Sequence, residues 1–240
     1  VVQHNHFLKK EINMNNKNEN ALTPVRVLYA TAGSAYGFAW DRMKKFFLDL
    51  FLITVIVGVV YIPLAMINSL DGRGTVGGVI LSIFGLAYWL LLLGPIDYGS
   101  AFVFLKAVRG DKFEVKDIFL PFENVERYLN VILAELLKSA IIGIGILLIV
   151  PGIIFACKLA FVKFLVLDRN MGPVEAVKES WNMTKGYAVD IFLLGLIAIP
   201  LAIAGFICFF VGIIPVIMWV RCAFASMYYA VSKIGEEKAG

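Results

Sequence analysis

Charged residues are scarce in this sequence. They make up 17% of the 240 residues, whereas hydrophobic residues make up 60% and the mean hydropathy is +0.82. About 25% charged residues is usual in water-soluble domains, and a soluble core of this length could not bury so much apolar surface. The composition therefore excludes an ordinary soluble protein and predicts that much of the surface faces lipid.

Residues that bind metals or form disulfides are also few. The only histidines, His4 and His6, lie in a polar N-terminal segment that offers no third ligand. The three cysteines, Cys157, Cys208 and Cys222, lie in apolar runs without a CxxC spacing. We expect no metal site, no cofactor and no disulfide framework, and we interpret the cysteines as small buried hydrophobic residues.

No catalytic or nucleotide-binding motif stands out. The glycines around Gly72 and Gly143 do not lead into the Gly-Lys-Ser/Thr of a phosphate loop. No G-x-S-x-G motif stands out and no histidine lies within the apolar part, so the sequence does not indicate a hydrolase. An enzyme acting on lipid headgroups would need more acidic residues that converge on one site. Nucleic-acid binding would require a basic, aromatic-bearing soluble domain. We expect a non-enzymatic protein that does not bind nucleic acid.

Six apolar stretches have the approximate length of a bilayer-crossing helix, about 20 residues. They cover residues 46–67, 76–93, 128–150, 152–167, 191–211 and 213–230. The second stretch continues past Gly94 and Pro95 to Val108, which leaves open one kinked, tilted helix or an additional half-span. The pattern predicts an all-α, polytopic transmembrane helix bundle with about six spans.

The basic residues predict the orientation of these spans. Lysines and arginines gather in the region before Phe46, in the loops near residues 106–127 and 169–185, and in the C-terminal tail. The turns on the other side carry only Arg73. Because basic loops stay in the cytoplasm, we expect both termini and the long loops there.

The sequence also contains an internal repeat. Residues 40–52, WDRMKKFFLDLFL, align with residues 181–193, WNMTKGYAVDIFL, and AFVFL from Ala101 matches AFVKFL from Ala160 and AFASM from Ala223. We predict one transmembrane domain, 31–233, made of three pseudo-repeated hairpins (31–110, 111–170 and 171–233), each preceded by a cytoplasmic amphipathic helix. A disordered polar tail, 1–30, and a short polar tail, 234–240, flank it.

The amphipathic helices supply one set of candidate site residues. Pro173 suits a helix start, Val174, Val177 and Trp181 follow at helical spacing, and Gly186 ends the segment. Such helices either orient the hairpins and cap the bundle, or recognise lipid headgroups with aromatic and basic side chains. The interfacial candidates are Trp40, Lys44, Lys45, Phe119, Lys178, Trp181 and Lys185.

Ionisable residues within the spans supply a second set, because such groups are costly in a bilayer and are functional hypotheses by default. The candidates for an intramembrane charge cluster are Asp97, Glu135, Lys138, Lys158 and Arg221. We expect Glu135 to pair with Lys138 three residues on, and Asp97 to neutralise Lys158 or Arg221. The cluster is either structural or serves an anionic headgroup or solute. Lys163 and Asp190 are expected to snorkel to the cytoplasmic boundary.

Two segments carry a resemblance to a known family. Residues 94–123, GPIDYGSAFVFLKAVRGDKFEVKDIFLPFE, and 151–186, PGIIFACKLAFVKFLVLDRNMGPVEAVKESWNMTKG, resemble the signature stretches of the bacterial membrane family "domain of unknown function 975". That family is similar to the membrane domain of some glycerophosphodiester phosphodiesterases. The resemblance covers about residues 39–233 and implies a multi-helix protein of the bacterial cytoplasmic membrane without catalytic residues.

We therefore expect a protein that organises membrane lipid, another membrane protein or a second copy of itself through its cytoplasmic interfacial helices. The alternative is a transporter or permease-like subunit for a small anionic solute or lipid. The internal repeats, the prolines within spans and the charges within the bundle favour that alternative.

Overall fold

The computed structural model describes residues 28–69, 76–146, 150–207 and 212–239. These residues form helices and turns, and no strand occurs among them. The predicted N-terminal tail lies almost entirely outside the described residues, as do Cys208 and the turn that carries Arg73. The all-helical class predicted from the sequence is confirmed.

The helices follow one another with short connections. The first, α1, covers Ala32–Lys45 and leads into α2, Phe47–Ser69. Then come α3 (Val76–Tyr88), a π-helical turn (Trp89–Leu93), α4 (Gly94–Arg109) and a 3-10 segment (Val115–Phe122). The remaining helices are α5 (Val125–Ile146), α6 (Val150–Lys158), α7 (Val162–Asp168), α8 (Pro173–Met183), α9 (Ala188–Ile207) and α10 (Ile213–Ala239), the last of which includes the predicted C-terminal tail through Ala239.

Five described helical runs are long and apolar enough to cross a bilayer. They are Phe47–Ile67, Val76–Arg109, Val125–Gly145, Ala188–Ile207 and Ile213–Glu236. Only 17% to 44% of the residues in their most apolar windows are buried inside the protein. Large hydrophobic side chains on α2, α3, α5 and α9 point outward, as expected where the surrounding solvent is hydrocarbon.

The buried core surrounds α4. Most of the 16 residues of this helix are buried, and it packs against α2, α5, α7, α10 and the 3-10 segment. Aromatic rings fill the centre: the rings of Phe164 and Tyr228 stack with centroids 5.0 Å apart, and Phe161 packs edge-on against Tyr228. The protein therefore has an outward-facing apolar part and a compact part around α4.

The run from Val76 to Arg109 is continuous and spans 34 residues. Of the two alternatives for this region, one kinked helix or an additional half-span, the structure shows the single helix. Its π-helical turn ends just before Pro95, which has no N–H to donate to the carbonyl of Leu91. The Tyr128 hydroxyl donates to that carbonyl instead, at 2.9 Å. Irregular helix turns survive in apolar surroundings when a neighbour supplies the missing hydrogen bond.

The predicted span 152–167 is not a single helix. It divides into α6 and α7, which are separated by a turn at residues 159–161. The Ser180 hydroxyl lies at this break, where it donates to the Lys158 carbonyl at 2.8 Å and accepts from the Phe161 N–H at 3.3 Å. Ser180 is fully buried, so α8 satisfies backbone groups that a continuous helix would have paired internally.

Candidate functional site

Three side chains on α4 and α10 form the centre of a charge cluster. The Arg221 guanidinium donates through Nη2 to Asp97 Oδ1 at 2.8 Å and through Nη1 to Ser100 Oγ at 2.5 Å. Asp97 and Ser100 lie three residues apart on α4, so both face the same side of the helix. The structure thus brings together Asp97 and Arg221, two of the predicted cluster residues.

Lys163 is a further member of this cluster. Its Nζ lies 3.6 Å from Asp97 Oδ2, a contact that was not expected from the sequence. The position in α7 explains the difference: α7 packs against α4, and this packing directs Lys163 toward the acid. The lone cation in the apolar run FVKFLVL was the sequence signal for this role.

A second ion pair lies on α5, beside the first. Lys138 Nζ is 2.5 Å from Glu135 Oε2, in agreement with the three-residue spacing. The Lys138 ammonium also lies 5.5 Å from the centroid of the Tyr98 ring. The Tyr98 hydroxyl is buried and forms no hydrogen bond to any residue that the structure describes.

Lys158 occupies a different place from the one predicted. Its Nζ lies 3.4 Å from the Thr184 carbonyl and 5.9 Å from the centroid of the Trp181 ring, and both ion pairs of Asp97 go to other cations. Lys158 ends α6 at the break, whereas Arg221 lies inside the long helix α10. The predicted repeat gives the two residues equivalent positions, but their environments differ.

A shallow, open groove lies along α8. Its volume is about 290 Å³, and it is lined by Val177, Lys178, Trp181 and Asn182. Phe155 packs against the Trp181 ring with centroids 5.7 Å apart. Two of the predicted interfacial residues, Lys178 and Trp181, therefore contribute a cation and an aromatic ring to one concave surface.

The predicted apolar face of α8 is not its packing face. Ala176 and Ser180 are the buried residues of this helix, while Val177 and Trp181 are only half-buried and Val174 is 55% exposed. Small side chains let α8 approach α5 and α7 closely, and the larger apolar side chains are only partly covered.

The N-terminal helix α1 is held more firmly than α8. It packs against α10 and α9, and the Trp40 and Trp219 rings lie 4.8 Å apart. The Tyr36 hydroxyl donates to the Leu194 carbonyl at 2.8 Å, and burial raises the pKa of Tyr36 to about 12. Asp190 accepts the Ala32 N–H at 3.3 Å, so it stabilises the start of α1.

The other interfacial candidates lie in or beside α1, the 3-10 segment and α8. Lys44 Nζ lies 5.7 Å from the Trp40 centroid, and Lys45 Nζ lies 5.6 Å from that of Phe46. Phe119, in the 3-10 segment, is exposed, and Lys185 is exposed after α8. These four side chains lie in or beside three different segments and do not form one site.

Two polar contacts near the ends of α4 were missed from the sequence. Arg109 forms a two-point ion pair with Asp168 of α7, and the Tyr228 hydroxyl donates to the same carboxylate at 2.7 Å. Lys106 Nζ lies 2.8 Å from Asp117 Oδ2 in the 3-10 segment. The partners lie 59 and 11 residues apart in the sequence. No local spacing therefore indicates that they pair.

Within the described ranges, no group of three or more His, Cys, Asp or Glu side chains is placed to hold a metal ion. The fold and the outward-facing apolar helices define a multi-pass α-helical membrane protein. No family model, curated protein or solved structure matches the chain. The resemblance to the bacterial membrane family stays a prediction.

Proposed function

We propose that this protein is a non-enzymatic component of the bacterial cytoplasmic membrane that organises anionic lipid through its cytoplasmic interfacial segments. The groove along α8 is the observation that carries this proposal. A half-buried tryptophan beside a lysine and an amide suits the boundary between acyl chains and phosphate groups. A membrane protein partner or a second copy of the chain would bind through the same surface.

The chemistry of the groove fits a phospholipid headgroup. Lys178 and Asn182 lie one turn apart and supply donors for phosphate oxygens, while Val177 and Trp181 supply the apolar side. The exposed Val174 extends the apolar stripe along the same helix. Ala176 and Ser180 supply the fully buried contacts of α8, so Val174 and the exposed parts of Val177 and Trp181 are left available to lipid.

The proposal includes three hairpins around the core. In it, α2 with α3–α4, α5 with α6–α7, and α9 with α10 cross the bilayer, with α6 and α7 acting together as an interrupted sixth span. The contacts support this arrangement: α1 packs on the third hairpin, the 3-10 segment on the first, and α8 on the second. Each interfacial segment thus packs on the hairpin before its own, in cyclic order.

Lipid retention tests the proposal. We expect the purified protein to retain phosphatidylglycerol through mild detergent extraction, and K178E and W181A each to lower the retained amount several-fold, as measured by mass spectrometry of the bound lipids. The matched control is K116E. Lys116 is exposed like Lys178, but its charge is neutralised by Glu114 at 2.9 Å, so its replacement should leave lipid retention close to that of the parent protein.

Unchanged retention in both groove variants would contradict the proposal, as would an equal loss in the control. A loss confined to the groove variants would support it. The thermal unfolding midpoint of each variant in detergent identifies any loss that arises from misfolding, because Lys178 is on the surface and its replacement should leave the midpoint in place.

A transporter is the second candidate, and the break between α6 and α7 favours it. Interrupted helices with exposed backbone groups bind substrates in several transporter architectures, and Lys158 lies at this break. Cys157, beside it, is half-buried. If the break lines a water-filled path, a charged thiol reagent should label Cys157 from outside intact cells in a variant whose other two cysteines are replaced by serine; protection of Cys157 would argue against a path.

A further inference from the structure

The charges of the cluster around Asp97 do not balance. Arg221 and Lys163 face Asp97, and Lys138 faces Glu135. With all five groups ionised, three cations meet two carboxylates, which leaves one positive charge. These five residues act on one another electrostatically across α4, α5, α7 and α10. They form a single cluster, the inner cluster.

An unbalanced charge is costly in such a place. Insertion of a lysine or arginine at the centre of a membrane helix costs about 2.5 to 3.5 kcal/mol, and burial of an unpaired charge is more expensive than burial of a paired one. An anion that neutralises the cluster would remove this cost. Its charge would have to be about one negative unit, which is the charge of a phosphodiester.

The donors of the inner cluster are not all used. Arg221 donates to Asp97 and Ser100, whereas the Nζ of Lys163 lies 3.6 Å from Asp97 Oδ2, beyond hydrogen-bond distance. The hydroxyl of the buried Tyr98 lies close to Glu135, but no hydrogen bond of good geometry joins it to a described residue. Buried polar groups without partners are uncommon and call for an explanation.

The inner cluster can also be reached from outside. The side chains of its five charged members are between 10% and 27% exposed, and Glu135 and Lys138 lie on α5, whose large apolar side chains point outward. A phosphate group on a lipid, or on a small molecule that enters between the helices, could therefore contact Lys163 and Lys138.

From these observations we propose that the inner cluster binds one phosphate group, with Lys163 and Lys138 as its cationic ligands and Asp97, Arg221 and Ser100 as the fixed frame that positions Lys163. This site is separate from the groove along α8 and shares no residue with it. The phosphate belongs either to a lipid headgroup or to a free phosphate compound.

Thermal unfolding in a neutral detergent tests the site. We expect dihexanoylphosphatidylglycerol to raise the unfolding midpoint with increasing concentration, because a ligand of the folded state stabilises it, and sodium chloride of the same ionic strength to have no such effect. K163M and K138M should each weaken this binding about tenfold or more, the loss expected for one charged hydrogen-bond donor. K112M, at an exposed loop position, should bind like the parent protein.

A second measurement needs no variant. Acetic anhydride should modify Lys163 in the parent protein, and dihexanoylphosphatidylglycerol should protect it, as read by peptide mass spectrometry, while Lys112 stays reactive. Absence of protection would overturn the proposal, and so would a midpoint shift that K163M retains. Stabilisation by inorganic phosphate as well as by the lipid would indicate a site for free phosphate compounds; stabilisation by the lipid alone would indicate a headgroup site.

Discussion

Arg109 and Asp168 form a two-point ion pair between α4 and α7, with Arg109 Nη2 2.6 Å from Asp168 Oδ2. Each residue lies eight positions after the alanine of its AFV motif, at Ala101 and Ala160. The Tyr228 hydroxyl, from α10, donates to the same carboxylate. One acid therefore joins the three helices that make up most of the buried core.

Replacement of Arg109 should destabilise the protein strongly. R109M leaves Asp168 largely buried without its cation, and breaking a buried pair in this way costs about 3 kcal/mol. The thermal unfolding midpoint in detergent should fall accordingly. The neighbouring Arg169 is a suitable control: its contacts to Glu179 and Glu236 are 3.6 Å long and more exposed, so R169M should cost less than about 1 kcal/mol. A double variant R109M/D168L should recover part of the loss; if it does not, the ion pair is not the cause.

Gly99 should tolerate no larger residue. A Cβ at this position would lie 1.9 Å from the Ile118 carbonyl oxygen, because α4 and the 3-10 segment touch backbone to backbone here. G99A should lower stability by about 3 kcal/mol, the upper part of the range for overpacking, or prevent assembly. Gly58 in α2 has open space around its Cβ position, so G58A should change the unfolding midpoint little. Equal effects of the two changes would contradict the close approach.

Ser180 should be necessary for the break between α6 and α7. S180A leaves the Phe161 N–H without its acceptor and leaves the Lys158 carbonyl only the longer contact from the Thr184 hydroxyl, at 3.5 Å, at a cost of about 1 to 3 kcal/mol. Ser226 is buried as well, but its hydroxyl donates to Cys222 in its own helix, so S226A should cost less than about 1 kcal/mol. Faster hydrogen exchange at Phe161 in S180A would locate the effect at the break; exchange as slow as in the parent protein would argue against this role.

Much of the fold follows from local sequence. Apolar runs of about 20 residues predict the long helices, and Pro173 begins α8 as expected. The helix ends at Met183, before the expected Gly186, whose φ is 87°. The division of 152–167 could not be predicted, because its cause is Ser180, which lies about 20 residues away in another helix. The continuity of the run from Val76 to Arg109 depends likewise on Tyr128 of α5.

The ion pairs of the inner cluster could be predicted only where the two partners are close in sequence. The pair of Glu135 and Lys138 follows from helical spacing, and the scarcity of acids in the second span singles out Asp97. The choice among Lys158, Lys163 and Arg221 as its partners depends on how α7 and α10 pack on α4, which no local pattern specifies. The groove along α8 depends on which face of that helix packs inward, and the small residues Ala176 and Ser180 decide this.

Protonation of Asp117 should lower the stability of the folded protein in acid. Burial opposes ionisation of this carboxyl, but the Lys106 ammonium at 2.8 Å and the Glu114 N–H at 3.2 Å outweigh it and lower the pKa of Asp117. A carboxylate with a lowered pKa stabilises the fold above its unfolded pKa of about 3.9, and this contribution is lost as the pH falls through the folded pKa. The unfolding midpoint of D117N should therefore lie below that of the parent protein at pH 7 and approach it in acid. D111N, at an exposed position, should follow the parent profile, and a D117N deficit that persists in acid would contradict the assignment.

The orientation predicted from the basic loops can be tested with a membrane-impermeant maleimide. With the three native cysteines replaced, R73C should be labelled in intact cells, whereas K112C and K185C should be labelled only after the membrane is permeabilised. The physical reason is that basic segments resist transfer across the membrane, and Lys112 and Lys185 belong to the two lysine-rich loops. Labelling after permeabilisation serves as the control for reactivity of each thiol. If K112C reacts from outside while R73C does not, the charge rule fails for this chain, and the groove along α8 would face the wrong side of the membrane for a cytoplasmic lipid site.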